Sequence, residues 1–213
     1  MTDISNKSVY KTVKNRGREI TVIKKSKFIA TCMPCDTEQK AIDFVNEIRK
    51  EFPDATHNVY AYCIDENNIF RYSDDGEPSQ TAGMPVLDVM RKDEIVDAAI
   101  VVTRYFGGTL LGTGGLVHAY SSSANLALSA AGIITRKMCN IISVNTDYSF
   151  VGKIQHIAKD GHYITEDVIY TDKATFFICV PPEETDRFLK KVTEKTNARA
   201  VCSVIDHKYA DTE

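Results

Sequence analysis

Two stretches hold most of the side chains that could do chemistry: RYSDDGEPSQTAGMP, Arg71 to Pro85, and TRYFGGTLLGTGGLVHAY, Thr103 to Tyr120. The first carries Asp74, Asp75 and Glu77 within four positions. Carboxylates that close repel one another unless water, a cation or a basic partner relieves them. Such a trio could hold magnesium or move protons. The plainer reading is an exposed turn built on Asx bonds and Gly76, and three neighbouring acids most often do no more than solvate a loop. The second stretch carries Gly107, Gly108, Gly112, Gly114 and Gly115. Glycines there permit positive φ and close backbone approach. With Thr113 as a cap, the next helix would point free N–H groups outward, an anion site in principle. Arg104, just before it, could hold a phosphate or carboxylate bidentately. The competing account is packing alone, with Arg104 paired to Asp74, Asp75 or Glu77. The glycine pattern is neither a P-loop nor GxGxxG, and no GxSxG elbow occurs.

Other candidates are weaker. Cys32-Met33-Pro34-Cys35 is a lone CxxC without the second ligand pair that structural zinc requires. His57 precedes a strand and could face the acidic loop, although a lone histidine is usually structural. Several of the six cysteines fall in apolar runs such as NVYAYCI and TFFICVP, so reduced buried thiols and a cytosolic setting are expected. The opening MTDISNKSVY lacks the apolar core of a signal peptide, and no apolar run is long enough to span a membrane.

These residues need a scaffold. The first part of the chain reads β-β-β-α-β-β-α-β-α. Strands are expected at Val9–Val13, Glu19–Lys24, Lys27–Met33, Asn58–Ile64 and Ile69–Tyr72. A helix over Thr37–Phe52 carries the stripe Ala41, Val45, Ile48 and Phe52, with Asp36 and Gln39 as a capping pair. Ser73–Gly83 is a polar loop, and Pro85 sits in the first turn of a short helix through Arg91. AAIVV, within Asp97–Phe106, predicts a strand buried on both faces. The following helix runs to Ala131, with Ala119, Ser123, Ala127 and Ala130 inward and Gly132 beyond its end. The last part reads β-α-β-β-α-β, the ferredoxin-like order. Its strands are placed at Ile141–Asp147, Tyr163–Tyr170, Thr175–Val180 and Ala198–Ile205, and Ser149 caps its first helix. A boundary near Gly132–Asn140 gives two domains, residues 1–136 and 137–213.

Charge narrows the function classes. Lys plus Arg is 26 and Asp plus Glu is 29, a net of −3, which excludes a globally basic nucleic-acid protein. Residues 1–27 carry eight basic and two acidic side chains, whereas residues 28–137 carry nine against fifteen. The basic leader suits an acidic partner or phosphates; the plainer account is an edge strand guarded by lysines.

Taken together, YSDDGEPSQTAGMP and VVTRYFGGTLLGTGGLVHAY, with KKSKFIA and HNVYAY upstream, resemble the YigZ/IMPACT family. The resemblance covers nearly the whole chain. It implies an α+β protein of two domains. The first is similar to the second domain of ribosomal protein S-five, and the second is similar to the ferredoxin-like last domain of elongation factor G. The family motif maps onto Asp74, Asp75, Gly76, Glu77, Pro78, Thr81, Ala82, Gly83 and Pro85. It continues at Arg104, Tyr105, Phe106, Gly107, Gly108, Gly112, Gly115 and Leu116. Eukaryotic IMPACT relatives regulate translation through a protein partner but lack this second domain.

The resulting expectation is a non-enzymatic, translation-linked binding protein without cofactor or metal. A groove between the acidic loop and the glycine-rich helix start would meet the ribosome, RNA or a translation-regulatory protein. In it Arg104 holds an anionic group, aided by amides near Gly114 and Gly115, while Lys24, Lys25 and Lys27 add phosphate contacts. One alternative is a small-molecule enzyme performing metal-assisted phosphoryl transfer or hydrolysis in the same groove. Another is a regulator that docks proteins on its ferredoxin-like sheet.

Overall fold

Apolar alternation and helical stripes organise the chain into two α+β units. The computed structural model describes residues 8–212; the expectation about a leader, and part of the basic count over residues 1–27, fall outside them. One unit is Tyr10–Thr135, and the other is Arg136–Thr212 together with residues 8 and 9.

In the first unit the elements are β1 (Val9–Val13), β2 (Gly17–Ile23), β3 (Ser26–Pro34), α1 (Glu38–Glu51), β4 (His57–Ile64), β5 (Ile69–Ser73), α2 (Gly83–Lys92), β6 (Ala98–Tyr105) and α3 (Thr113–Ala131). The expected order holds. The sheet runs β2-β3-β6-β4-β5 with antiparallel neighbours. β6 is central and, as its apolar run predicts, buried on both faces. Ala98, Ile100 and Val102 join the core under α2 and α3. Ala99 and Val101 join the core under α1. The two-residue period of a strand therefore divides one apolar run between two cores.

Several local expectations change. Thr37, not Asp36 with Gln39, caps α1: its Oγ1 accepts from the Lys40 amide at 3.3 Å. Asp36 instead pairs with Lys40 one turn on. Phe44 joins the buried stripe of α1. On α3, Ala130 is exposed, and the inward face gains Leu116, Tyr120, Ala124 and Leu128. These larger residues occupy positions i, i+4, i+8 and i+12, one ridge of a helix. Gly132 does close α3, with φ +75°.

The second unit comprises β7 (Ile133–Thr146), α4 (Val151–Asp160), β8 (Ile164–Tyr170), β9 (Ala174–Val180), α5 (Thr185–Thr196) and β10 (Val201–Thr212). β7 starts directly after Gly132, earlier than expected, so no linker separates it from α3. Its five-stranded sheet runs β1-β7-β9-β8, with β10 also paired to β7; β10-β7-β9-β8 within it is the ferredoxin-like order. Ile154, Ile157, Phe188 and Val192 of the helices pack on Ile142, Val144, Phe176 and Ile178 of the sheet. A short 3-10 turn, Tyr148–Phe150, leads into α4, so Ser149 lies inside that turn rather than at the cap. β10 extends to Thr212, beyond the expected Ile205.

All six cysteines are free thiols, and five are buried. Burial pushes Cys35 and Cys63 up to about 12, and Cys32 higher still. Thiolate chemistry from the CxxC pair is thereby suppressed. In native protein at neutral pH, maleimide should modify Cys202 first, and the other five only after denaturant opens the cores. Intact-mass spectra over time read this directly; rapid double labelling of Cys32 and Cys35 would contradict it.

Candidate functional site

The site is built at the end of the first unit's sheet. Phe28, Arg104 and His57 are direct register partners on β3, β6 and β4. Arg104 shares its face of β6 with Ile100 and Val102, so its side chain rises under the start of α3. There it lies between two rings, its guanidinium carbon 5.4 Å from the centre of Phe28 and 5.5 Å from Phe106.

The three acids do not act together. Asp74 closes the loop: its carboxylate accepts the amides of Gln80 (2.8 Å), Ala82 (3.1 Å) and Gly83 (2.8 Å). It thus serves as an acceptor for the otherwise uncapped start of α2, where no local side chain does so. Asp75 accepts the Asn58 amide at 2.6 Å and pairs with Arg49 at 3.0 Å. Glu77 alone turns inward. Its Oε1 accepts from Arg104 Nη1 at 2.6 Å and from the Tyr120 hydroxyl at 2.7 Å. The three carboxylates therefore do not converge on one point. Among the described residues, no group of three His, Cys, Asp or Glu is placed to hold a metal ion. Asp74→Ala should cost about 2 kcal/mol of stability, since the α2 start and the loop lose a shared acceptor. Urea unfolding at pH 7 measures it, and a loss under half that figure would mean water replaces the carboxylate.

Arg104 is also reassigned. It is 4% exposed; Nη1 meets Glu77, Nη2 meets Ser26 Oγ at 3.2 Å, and Nε has no partner. The guanidinium is already paired with Glu77 within the fold, and Arg104 lines the floor of the cleft above it. Tyr120 is held neutral as a donor, its hydroxyl pushed far up by burial and by the Glu77 carboxylate. His57 Nδ1 lies 2.8 Å from the Asp75 carbonyl, which can only accept, so Nδ1 carries the hydrogen. Its Nε2 then stands 3.8 Å from Glu77.

Above this floor opens a cleft of about 450 Å³. One wall holds Thr56, His57, Glu77 and Pro78; the other holds Phe106, Leu110, Leu111, Gly112, Thr113 and Leu116. The acidic hairpin and the glycine-rich helix start therefore do share a concave face. Gly112, with φ +75°, rather than Thr113, is the cap position of α3, and no side chain caps it. Leu110 is 83% exposed and Phe106 46%, both at this cleft.

The remaining expected residues scatter around it. Thr81 is buried, its hydroxyl donating to the Pro78 carbonyl within the loop. Tyr105 reaches Asp54 at 2.9 Å, away from the cleft lining. Gly107 is packed against the Lys25 backbone, and Gly108 and Gly114 have open space around them. Lys24 and Lys25 form the β2–β3 turn with positive φ, and Lys27 follows on β3; all three are exposed. Sequence reading missed Ser26 and Tyr120. The ridge Leu116–Tyr120–Ala124 was the available signal for the tyrosine; nothing local marked the serine.

Comparison with known proteins agrees with this architecture. The Impact N-terminal domain matches residues 24–128, which includes the whole cleft, and a domain of unknown function, DUF1949, matches residues 144–199. The IMPACT family member YvyE of Bacillus subtilis is 41% identical over 192 residues, covering 90% of this chain and 88% of its own. The chain belongs to the IMPACT family. The family member YigZ of Escherichia coli is 44% identical over 109 residues, 50% of this chain and 53% of its own. A crystal structure of a hypothetical protein superposes with a TM-score of 0.60 at 27% identity, covering 94% of this chain and 98% of that one. No helix among the described residues is long and apolar enough to cross a membrane.

Proposed function

We propose that this IMPACT family protein is a translation-linked regulator of the cytoplasm that works by binding. Its cleft receives a segment of a protein partner, either a ribosomal protein or a translation-regulatory one. The observation that carries this reading is the pairing of a rim that exposes Leu110 and Phe106 with a floor whose buried charges already cancel. A phosphate would find little net attraction there, whereas an apolar side chain gains from leaving water. Any RNA contact made by this unit falls to Lys24, Lys25 and Lys27.

The second reading, a small-molecule enzyme, is favoured by one feature: His57 lines the cleft with its Nε2 3.8 Å from the buried Glu77 carboxylate. Its proton-transfer group would be His57, beside the Glu77 carboxylate.

The test is co-sedimentation of the full chain with ribosomes and with ribosome-free extract, bound proteins being identified by mass spectrometry. Binding to a translation component should fall at least tenfold in Leu110→Asp while the melting temperature holds. Binding indifferent to Leu110→Asp and Phe106→Ala would overturn the proposal. So would a nucleotide or metabolite panel that stabilises the protein by several degrees where no partner binds.

A further inference from the structure

The second unit gathers its basic charge on its helices. Residues 136–212 carry eleven basic against eleven acidic side chains. Yet α4 and α5 together hold six basic residues (Lys153, Lys159, Arg187, Lys190, Lys191, Lys195) against Asp160, Asp186 and Glu194, a net of +3. The strands and turns of the unit are left with five against eight, a net of −3. The helices pack on one face of the sheet, so their basic side chains gather on that side.

Helical geometry concentrates the positive charge further. Arg187, Lys191 and Lys195 stand at i, i+4 and i+8, one ridge about 12 Å long. Facing it, Lys153, His156 and Asp160 line α4 at i, i+3 and i+7. Between the ridges lies a cleft of about 310 Å³, lined by Lys153, His156, Ile157, Asp160, Lys191 and Lys195. The lysines cover the Ile157 floor with their stems. Lys153 donates to the Lys195 carbonyl and Lys191 pairs with Asp160, which holds both heads at the rim.

The occupant follows from what this face lacks. Large exposed apolar side chains occur on the strands of the unit, at Ile164, Ile169, Tyr170, Val201, Val204 and Ile205, and none occurs on α4 or α5. Stable protein interfaces need buried apolar or aromatic anchors. A row of lysines without anchors suits a ligand recognised through repeated negative charge alone.

We propose that the α4–α5 face is a sequence-independent site for the phosphate backbone of RNA. It is separate from the first unit's cleft and does not depend on what that cleft holds. With four phosphates neutralised, log affinity should fall with log salt at a slope of about −3, or roughly 50-fold between 50 and 200 mM.

Fluorescence anisotropy of a labelled twelve-nucleotide oligouridylate with the full chain tests this. Lys191→Gln/Lys195→Gln should weaken binding at least tenfold at 50 mM salt and flatten the slope. Asp160→Asn should tighten binding two- to threefold, an effect that a merely structural role would not produce. Lys50→Gln, an exposed lysine at the end of α1, should leave it within twofold, which separates this site from a general loss of positive charge. Circular dichroism confirms that each variant is folded. The proposal is overturned by no binding at 50 mM salt, by affinity indifferent to the Lys191/Lys195 change, or by preference for polyglutamate of equal charge, which would mark an acidic protein as the occupant.

Discussion

Glu77→Ala should lose about 3–5 kcal/mol of folding stability, the typical cost of stranding a buried charge. Glu77 and Arg104 each expose about 5% of their side chains or less and meet at 2.6 Å. Removing the carboxylate leaves the guanidinium charged between two aromatic rings, without its anion. It also leaves the Tyr120 hydroxyl without the acceptor it now uses. Arginine cannot shed its proton to escape the cost, so the chain must let water in or unfold. Glu77→Leu/Arg104→Met removes both charges at similar volume and should recover most of the loss. Guanidinium unfolding of the single and double variants closes the cycle. A single variant within 1 kcal/mol of the parent would show that the pair is already hydrated.

Gly107→Ala is the second large effect, expected to cost about 3 kcal/mol or more. A Cβ built on Gly107 would lie 2.0 Å from the Lys25 carbonyl carbon and 2.1 Å from its oxygen. Those atoms are backbone, held by the β2–β3 turn, and cannot swing aside like the tip of a side chain. The Gly107 amide also donates to Ser26 Oγ at 3.2 Å, and Ser26 in turn receives Arg104. Displacing the loop therefore disturbs the cleft floor. Gly114→Ala is the control, because open space surrounds that position and it lies in the first turn of α3. It should stabilise by a few tenths to 1 kcal/mol. Thermal unfolding of both variants reads the contrast; equal melting temperatures would mean that the loop around Gly107 adapts freely.

Element order was legible from the chain because periodicity acts locally. AAIVV has the length and the β-branched character of a covered strand, and the stripe of α1 repeats at helical spacing whatever it packs against. The resemblance carried by the Asp74–Pro85 and Arg104–Leu116 motifs named the family on the same footing. The two motifs could also be foreseen as one concave face, since a polar loop and a glycine-rich helix start adjoin strands of one sheet.

The roles inside that face were decided only by tertiary structure. Three neighbouring carboxylates look equivalent in sequence, yet one closes a loop, one ties that loop to β4 and one is buried against Arg104. The choice depends on which amides and cations the register of β3, β6 and β4 brings within hydrogen-bond range, and register is a property of the folded sheet. Ser26 and Tyr120 enter for the same reason, from partners 78 and 43 residues away in the chain. The basic cleft between α4 and α5 is likewise invisible in a segment with as many acidic as basic residues, because only the packing of the two helices side by side brings Lys153, Lys191 and Lys195 together.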